Sequence, residues 1–148
     1  MPGFEPNDSA VGYAFFAEFD GPPSMLMEVG PLTSEVKVID IKHQLPTGQY
    51  AAKKVPAKPE GGQLTMKRGL TNSTDWRDWH KLAADGKAKD MRKTGSIVVL
   101  TYAGEEIARW NVEAAWISKL EIGTAKAGDT SPLTETATVV FENLVRVK

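Results

Sequence analysis

The residues that could do chemistry in this chain are few and lie in different segments. His43 and His80 are the two histidines, and neither has another histidine or a carboxylate at ligand spacing such as His-x-x-x-His. Since a metal site needs three or four converging ligands, the sequence predicts surface or loop roles for both. The absence of cysteine removes thiol nucleophiles, disulfides and cysteine-ligated zinc together.

Two further patterns resemble functional motifs but have simpler explanations. Asp75 and Asp78 lie three residues apart on one predicted helix face, as a general acid and base could. They fall in the first helical turn, where carboxylates compensate the helix dipole. Segment 123–130 has the glycine spacing of a phosphate-binding loop, but Asp129 stands where a lysine must neutralise phosphate. We therefore expect no enzyme, no cofactor and no metal.

The composition limits the classes of partner. A chain of 148 residues with 41% hydrophobic content is expected to form one core. Its net charge of -1 creates no global field that would attract nucleic acid or an anionic membrane. The apolar stretches are much shorter than a membrane span and residues 1–10 do not resemble a signal peptide, so we expect no membrane insertion.

The chain is organised around a strand that leads into a helix. Leu64, Met66 and Leu70 fall on one side and Thr65 and Lys67 on the other, an alternation that is typical of a half-buried strand. Residues 72–74 are all capping types, and a helix is predicted at about 74–84. Trp76 and Trp79 share one face of that helix, so the face must pack against strands from elsewhere in the chain.

The remaining strands are predicted from alternation and turn signals. They form a single domain at 13–148, preceded by a flexible arm at 1–12. In a strand through Ala108–Trp116 every even-numbered residue is apolar. The four tryptophans predicted to be core are Trp76, Trp79, Trp110 and Trp116. The fold class is mainly β, an antiparallel sandwich or barrel with one flanking helix.

A segment rich in Pro, Gly and Lys interrupts the domain at 42–63. We interpret it as a long projecting loop or irregular hairpin, because the flanking strands are too short to form separate cores on either side of a linker. Its basic residues favour contact with an acidic patch on a neighbouring copy, or simple solvation. The alternative, a nucleic-acid-binding barrel, would need more aromatic residues for base stacking. The residues concerned are Tyr50, Lys53, Lys54 and Lys58.

Several sequence motifs, in their order along the chain, resemble those of a known protein family. Together they closely resemble the tail tube protein family of contractile phages, which also supplies the inner tube of phage tail-like contractile injection systems. One departure is Ile117, where the family often has Pro, and another is the extra Pro and Lys between 44 and 63. The motifs are Leu-Thr-Met-Lys-Arg-Gly-Leu-Thr at 64–71, Trp-Arg-Asp-Trp at 76–79, Ser-Ile-Val-Val-Leu at 96–100, Gly-Glu-Glu-Ile-Ala-Arg-Trp-Asn-Val-Glu-Ala-Ala-Trp at 104–116 and Glu-Thr-Ala-Thr-Val-Val-Phe-Glu at 135–142.

The resemblance implies a structural subunit. Copies would join into sixfold rings that stack into a hollow tube inside a contractile sheath, with baseplate and tube-end proteins as further partners and effectors or DNA as cargo. The alternative within the same machine is a tube-like adaptor at the baseplate or tube end. The protein would be made in the bacterial cytoplasm, in a particle that stays there or is released by lysis.

The resemblance and the strand phase together suggest which residues meet the lumen and which meet neighbours. The loop at 42–63 is the candidate for ring-to-ring or neighbour contact, through the four residues named for it above. The residues expected to face the lumen are Glu35, Lys37, Thr65 and Lys67.

Overall fold

The chain is built mainly from antiparallel strands, in agreement with the predicted fold class. The computed structural model describes residues 14–128 and 130–148, so the predicted arm at 1–12 lies outside the described residues. The predicted helix is present as α1, and a second, short helix, α2, follows it. In chain order the elements are β1 (Ala14–Phe19), β2 (Ser24–Leu26), β3 (Glu28–Gly30), β4 (Glu35–Gln44), β5 (Tyr50–Glu60), β6 (Gly62–Gly69), α1 (Asp75–Ala84), α2 (Ala88–Met91), β7 (Lys93–Leu100), β8 (Glu106–Ile122), β9 (Thr134–Phe141) and β10 (Asn143–Arg146).

The main sheet closes into a barrel. Its strands run in the order β2-β1-β7-β8-β9-β6-β3, and β10 pairs with β8. The two terminal strands of this path belong to one stretch of chain, because β2 and β3 are separated only by Met27. The Met27 N–H donates a hydrogen bond of 2.7 Å to the Lys67 carbonyl on β6. Residues 24–30 thus join β1 to β6 and close the circuit.

The barrel interior follows directly from the alternation of the strands. On β6, Leu64 and Met66 are buried and Thr65 is exposed. On β9 the buried residues are the odd-numbered ones, including Val139 and Phe141. Because β6 and β9 pair with Leu64 opposite Val139, these side chains meet on the inner face.

Helix α1 packs against β8 and carries two tryptophans into the core. Trp76 and Trp79 are 3% and 2% exposed. The Trp79 indole Nε1 donates a hydrogen bond of 2.6 Å to the Met91 carbonyl, and the His80 ring Nδ1 lies 2.9 Å from the Ile117 carbonyl oxygen. Two adjacent residues in the middle of the helix thus bind it to α2 and to β8, so His80 has a structural role.

A β-bulge in β8 overturns one predicted core residue. Ala114 has a positive φ of 51°, and the pairing with β7 shifts there. The extra residue reverses the phase of the strand, so Ala115 and Ile117 point inward and are fully buried. Trp110, before the bulge, packs partly buried against the core. Trp116, after it, is half-buried outside the core cluster, so its predicted core position is wrong.

The segment at 42–63, predicted as a long projecting loop or irregular hairpin, is largely strand and belongs to a hairpin. β4 and β5 pair as a separate two-stranded sheet, and a single residue, Gly61, separates β5 from β6. Pro56 and Pro59 suggested a loop, yet both strands of a two-stranded sheet are edges, where a missing N–H is tolerated. A Cβ at Gly61 would collide with the Phe141 carbonyl, so glycine is required where the hairpin meets the barrel.

Candidate assembly surfaces

Apart from Trp116 and Val140, which pair with each other, the outer surface of half the barrel is polar and rich in threonine. This half consists of the C-terminal part of β8 (116–122) together with β9, β6 and β3. Thr138 lies between Lys119 and Thr65, and Thr136 lies between Glu121 and Lys67. We call this surface the polar face; its members are Glu28, Thr65, Lys67, Lys119, Glu121, Thr134, Thr136 and Thr138.

The charges on the polar face are paired. The Lys67 Nζ lies 3.5 Å from Glu28 Oε2, and the Lys119 Nζ lies 3.8 Å from Glu121 Oε2. Both pairs are largely solvated, so they contribute little to stability. Their effect is to leave the face hydroxyl-lined and close to neutral.

Among the described residues, this four-stranded half has an unpaired edge on each side. The last residue of β8 that pairs with β7 is Ala115, whose partner is the first residue of β7. Beyond Ala115, β8 pairs only with β9 among the described strands. On the other side, β3 pairs with β6 alone within the described ranges. Unpaired backbone N–H and C=O groups at such edges are templates for another strand.

The hairpin of β4 and β5 is exposed on both faces. Every residue of β4 is exposed, and the two strands pack mainly against each other among the described elements. A two-stranded hairpin alone is marginally stable in water. Its exposed apolar residues are Val36, Val38, Ile39, Ile41, Leu45 and Tyr50.

The structure separates the four residues predicted to face a lumen into two surfaces. Thr65 and Lys67 lie together on the polar face. Glu35 and Lys37 lie instead at the base of the hairpin, on a different sheet. The Lys37 Nζ is 3.0 Å from Glu60 Oε1, and the hydrogen bond and charge of Glu60 raise the pKa of Lys37.

The four predicted contact residues lie together on β5. Tyr50 is 74% exposed and begins the strand next to the hairpin turn. Lys53 and Lys54 pair with Ile41 and Asp40 on β4. Lys58 lies nearer the barrel, beside a cleft of about 610 Å³ that Glu113 and Glu142 also line. The hairpin therefore presents basic and apolar groups together.

A buried ion cluster, which sequence reasoning missed, fixes α1 to the barrel. The Arg68 Nε donates a 3.0 Å hydrogen bond to Glu135 Oε2 on β9, and its Nη2 donates one of 2.6 Å to Asp75 Oδ1 at the start of α1. The guanidinium also stacks on Trp76, 3.9 Å from the ring centroid. Arg68 and Glu135 both fall on the inward phase of their strands, and that phase was the signal available in the sequence.

The part of the chain that the structure describes forms neither a metal-binding cluster nor a membrane-spanning helix. It contains no group of three or more His, Cys, Asp or Glu placed to hold a metal ion. Within the same residues, the helices are too short or too polar to span a membrane.

These features define a class: a small antiparallel β-barrel with a projecting hairpin and, within the described residues, two open sheet edges. The family described as T4-like virus tail tube protein gp19 matches residues 11–145. The chain belongs to this tail tube family, whose members are structural proteins. A comparison with curated proteins found no match.

Solved structures share the fold at low sequence identity. One is the PVC sheath/tube terminator of an extracellular contractile injection system, with a TM-score of 0.74 at 17% identity over 97% of this chain and 100% of that chain. The PVC sheath-tube complex gives 0.73 at 17% identity, covering 95% and 93%. Hcp1 from Flavobacterium johnsoniae gives 0.59 at 15%, covering 91% and 95%. At these identities the likeness concerns the fold.

Proposed function

We propose that this protein is the inner tube subunit of a contractile phage tail or phage tail-like injection system. Its copies form sixfold rings that stack into a hollow tube inside a contractile sheath. Family membership supports a tube role. The proposal of a ring rests on one observation, that the four-stranded half of the barrel has two open edges.

The two edge strands run in opposite directions, which allows neighbouring copies to pair edge to edge around a ring. Each neighbouring pair among β8, β9, β6 and β3 is antiparallel, so the first and last of the four strands run in opposite directions. A copy rotated about an axis roughly along the strands brings its β3 beside β8 of the next copy, in antiparallel orientation. Such head-to-tail contacts close into a ring when the rotation fits, and closure leaves no free edge.

In this arrangement the polar face lines the lumen. Thr65 and Lys67 then face the channel, together with the threonines of β9. A hydroxyl-lined wall with paired charges has little affinity for either sign of cargo, so effectors or DNA could slide through it. Glu35 and Lys37 belong to the hairpin, and their place in the lumen stays a prediction.

The other partners follow from the same proposal. Tyr50, Lys53, Lys54 and Lys58 contact neighbouring copies through the hairpin. The outside of the tube meets the sheath protein, and its ends meet baseplate and tube-end proteins. Structures with a similar fold come from a sheath-tube complex, a baseplate and a cap. The subunit is made in the bacterial cytoplasm and acts in the assembled particle.

A tube-end adaptor is the second candidate. The similarity to a terminator is as high as that to a sheath-tube complex, which favours neither role. An adaptor occurs in few copies and ends a tube, so it forms single rings. A tube subunit stacks without limit.

Cross-linking of paired cysteines tests the ring contact. The chain has no cysteine of its own, and in the double variant Glu28→Cys/Glu121→Cys the new thiols lie on β3 and β8. Within one copy β9 and β6 separate these strands, at about 4.8 Å per strand. A direct disulfide, which needs Cβ atoms about 4 Å apart, therefore forms only between copies. We expect a covalent ladder that ends at six copies under conditions where the protein assembles.

Two controls distinguish a shifted pairing register from the absence of any contact between β3 and β8 of neighbouring copies. A short bis-maleimide tolerates a shifted pairing register and should give the same ladder. The matched variant Glu28→Cys/Arg77→Cys places one thiol on the exposed side of α1 and should give none. An assembled protein in which neither reagent links residues 28 and 121 would contradict the proposed ring contact.

A further inference from the structure

We infer that Trp116 anchors the contact between copies within a ring, with its indole covering Gly30 of the neighbouring copy. The partner is therefore a second copy of this chain. The inference rests on the proposed tube function and deepens it, because it names the side chain that fixes the register in which two open sheet edges pair.

Trp116 is the tryptophan whose ring has no polar or aromatic partner. An arginine guanidinium lies over the rings of Trp76 and Trp110, and the Trp79 indole N–H donates a hydrogen bond to a backbone carbonyl. Among the described residues, the Trp116 ring makes no hydrogen bond, cation contact or aromatic contact. A half-buried tryptophan of this kind has the character of an interface anchor, since tryptophan is enriched among the residues that dominate binding energy.

The bulge at Ala114 places Trp116 at the open edge of β8. Ala115 is the last residue of β8 that pairs with β7, so Trp116 begins the part of β8 that forms the edge. Its side chain lies on the polar face beside Val140 of β9, and the two form a small apolar patch among hydroxyls and paired charges. A strand of another copy that pairs with this edge passes directly beside the indole.

Gly30 provides a complementary surface at the other open edge. It ends β3 and pairs with Thr65, so it has the phase of the polar face. Within the described part of one copy, a Cβ at Gly30 would approach nothing closer than the Leu32 nitrogen, at 4.0 Å. A cleft of about 460 Å³ lies there, with Gly30, Pro31 and Thr65 among its walls. An aromatic ring on an adjacent strand can cover such an edge glycine and stabilise the pairing.

The rows of paired residues bring these two surfaces together when copies join. Trp116 shares its row with Val140 and Gln63. Gly30 belongs to the next row, because its partner Thr65 lies two residues from Gln63. When β3 of one copy pairs with β8 of another at matching rows, the indole is diagonal to Gly30, and a stagger of one row makes it directly opposite. Aromatic side chains reach both positions.

The contact selects a register that the backbone alone does not select. Strands with polar exposed faces can slip along one another, and the threonine rows of the polar face differ little from each other. A register that brings Trp116 to Gly30 buries a side chain with about 150–250 Å² of surface. Other registers leave the indole in water, so Trp116 favours one alignment of neighbouring copies.

Substitution of Trp116 provides the first test. Trp116→Thr replaces the indole with the residue type that dominates the polar face, and we expect the protein concentration needed for ring formation to rise at least tenfold. Trp116→Phe keeps an aromatic ring and should stay within about threefold of the parent. The control Val145→Thr changes a residue that is 41% exposed on β10, away from both open edges, and should stay within twofold.

Sedimentation velocity measures ring formation, and circular dichroism with thermal melting verifies that all four proteins are folded. Trp116 lies outside the core cluster, so Trp116→Thr should remain a folded subunit. A Trp116→Phe protein as impaired as Trp116→Thr would contradict the role assigned to the aromatic ring.

Photo-cross-linking tests the contact directly. A photoreactive phenylalanine analogue replaces Trp116, and rings are assembled from a mixture of isotope-labelled and unlabelled copies. We expect cross-links between copies that map to residues 28–32. The same analogue at Val145 should give no cross-link to that segment.

The outcomes distinguish this inference from the function on which it rests. Rings that form normally from Trp116→Thr, or cross-links from position 116 that map to the hairpin or to any other segment, overturn the inference. The cysteine ladder from Glu28→Cys/Glu121→Cys would still support the ring in that case. A parent protein that forms no rings at any concentration overturns both.

Discussion

The guanidinium of Arg68 is buried, and its hydrogen bonds join three separate parts of the chain. Glu135 lies on β9, Asp75 begins α1, and Ser24 Oγ, 3.1 Å from Arg68 Nη1, lies on the segment that closes the barrel. Removing one partner of a buried ion pair is costly because the other charge is left without compensation. Arg68 is therefore expected to matter more for stability than any solvated lysine or arginine.

Replacing Arg68 with leucine tests this expectation. Arg68→Leu leaves the buried Glu135 carboxylate unpaired, so the free energy of unfolding should fall by about 3–5 kcal/mol. Urea denaturation measures the change. The exposed pair of Arg77 and Asp78 provides the control, since Arg77→Ala should change stability by less than about 0.5 kcal/mol. A similar small loss for Arg68→Leu would show that the cluster does not hold the helix to the barrel.

Asp75 makes the stability of the protein depend on pH. Burial alone would raise the pKa of this carboxyl, but hydrogen bonds from Arg68 and Ser73, the positive charge of Arg68 and the Trp76 N–H together lower it below the usual 3.8. A lowered folded-state pKa contributes stability that is complete above the unfolded value and is lost as pH falls through the folded value.

The variant Asp75→Asn isolates this contribution. We expect the parent to be more stable than the variant at pH 6, and the difference to shrink as the pH falls below about 4. Chemical denaturation of both proteins between pH 6 and pH 2.5 measures the difference. A gap that is constant over this range would contradict the assignment, because it would show that the carboxyl titrates alike in the folded and unfolded chain.

At the scale of elements, alternation predicted most of the strands and the helix, because burial of one face imposes a period of two or of 3.6 residues. It failed where a single residue interrupts the period. The bulge at Ala114 reverses the phase of β8, and nothing in the run of even-numbered apolar residues indicates it. The sequence left a loop or an irregular hairpin open for 42–63, and β5 was not predicted as a regular strand because Pro56 and Pro59 count against strands in general and not against edges.

The bulge can be tested by two substitutions at one position. Ala114 has a φ of 51°, a left-handed conformation that costs a non-glycine residue about 1–2 kcal/mol. Ala114→Gly should therefore stabilise the protein by up to about 1 kcal/mol, whereas the β-branched Ala114→Val should destabilise it by more than about 1 kcal/mol. Equilibrium unfolding compares the three proteins, and equal stabilities would mean that position 114 is unstrained.

For the whole molecule, the sequence indicated the family through several ordered motifs, and the match over residues 11–145 confirms it. The assembly surfaces were harder to predict. The positions of the open edges depend on the topology. Within residues 24–30, β2 pairs with β1 on one side of the barrel and β3 pairs with β6 on the other.

Electron microscopy of the concentrated, purified full-length protein tests the central claim most directly. We expect hollow filaments built from stacked sixfold rings, with the β3 and β8 edges of adjacent copies in contact and the polar face toward the channel. A folded protein that remains strictly monomeric at every concentration, with no rings or filaments, would contradict the account.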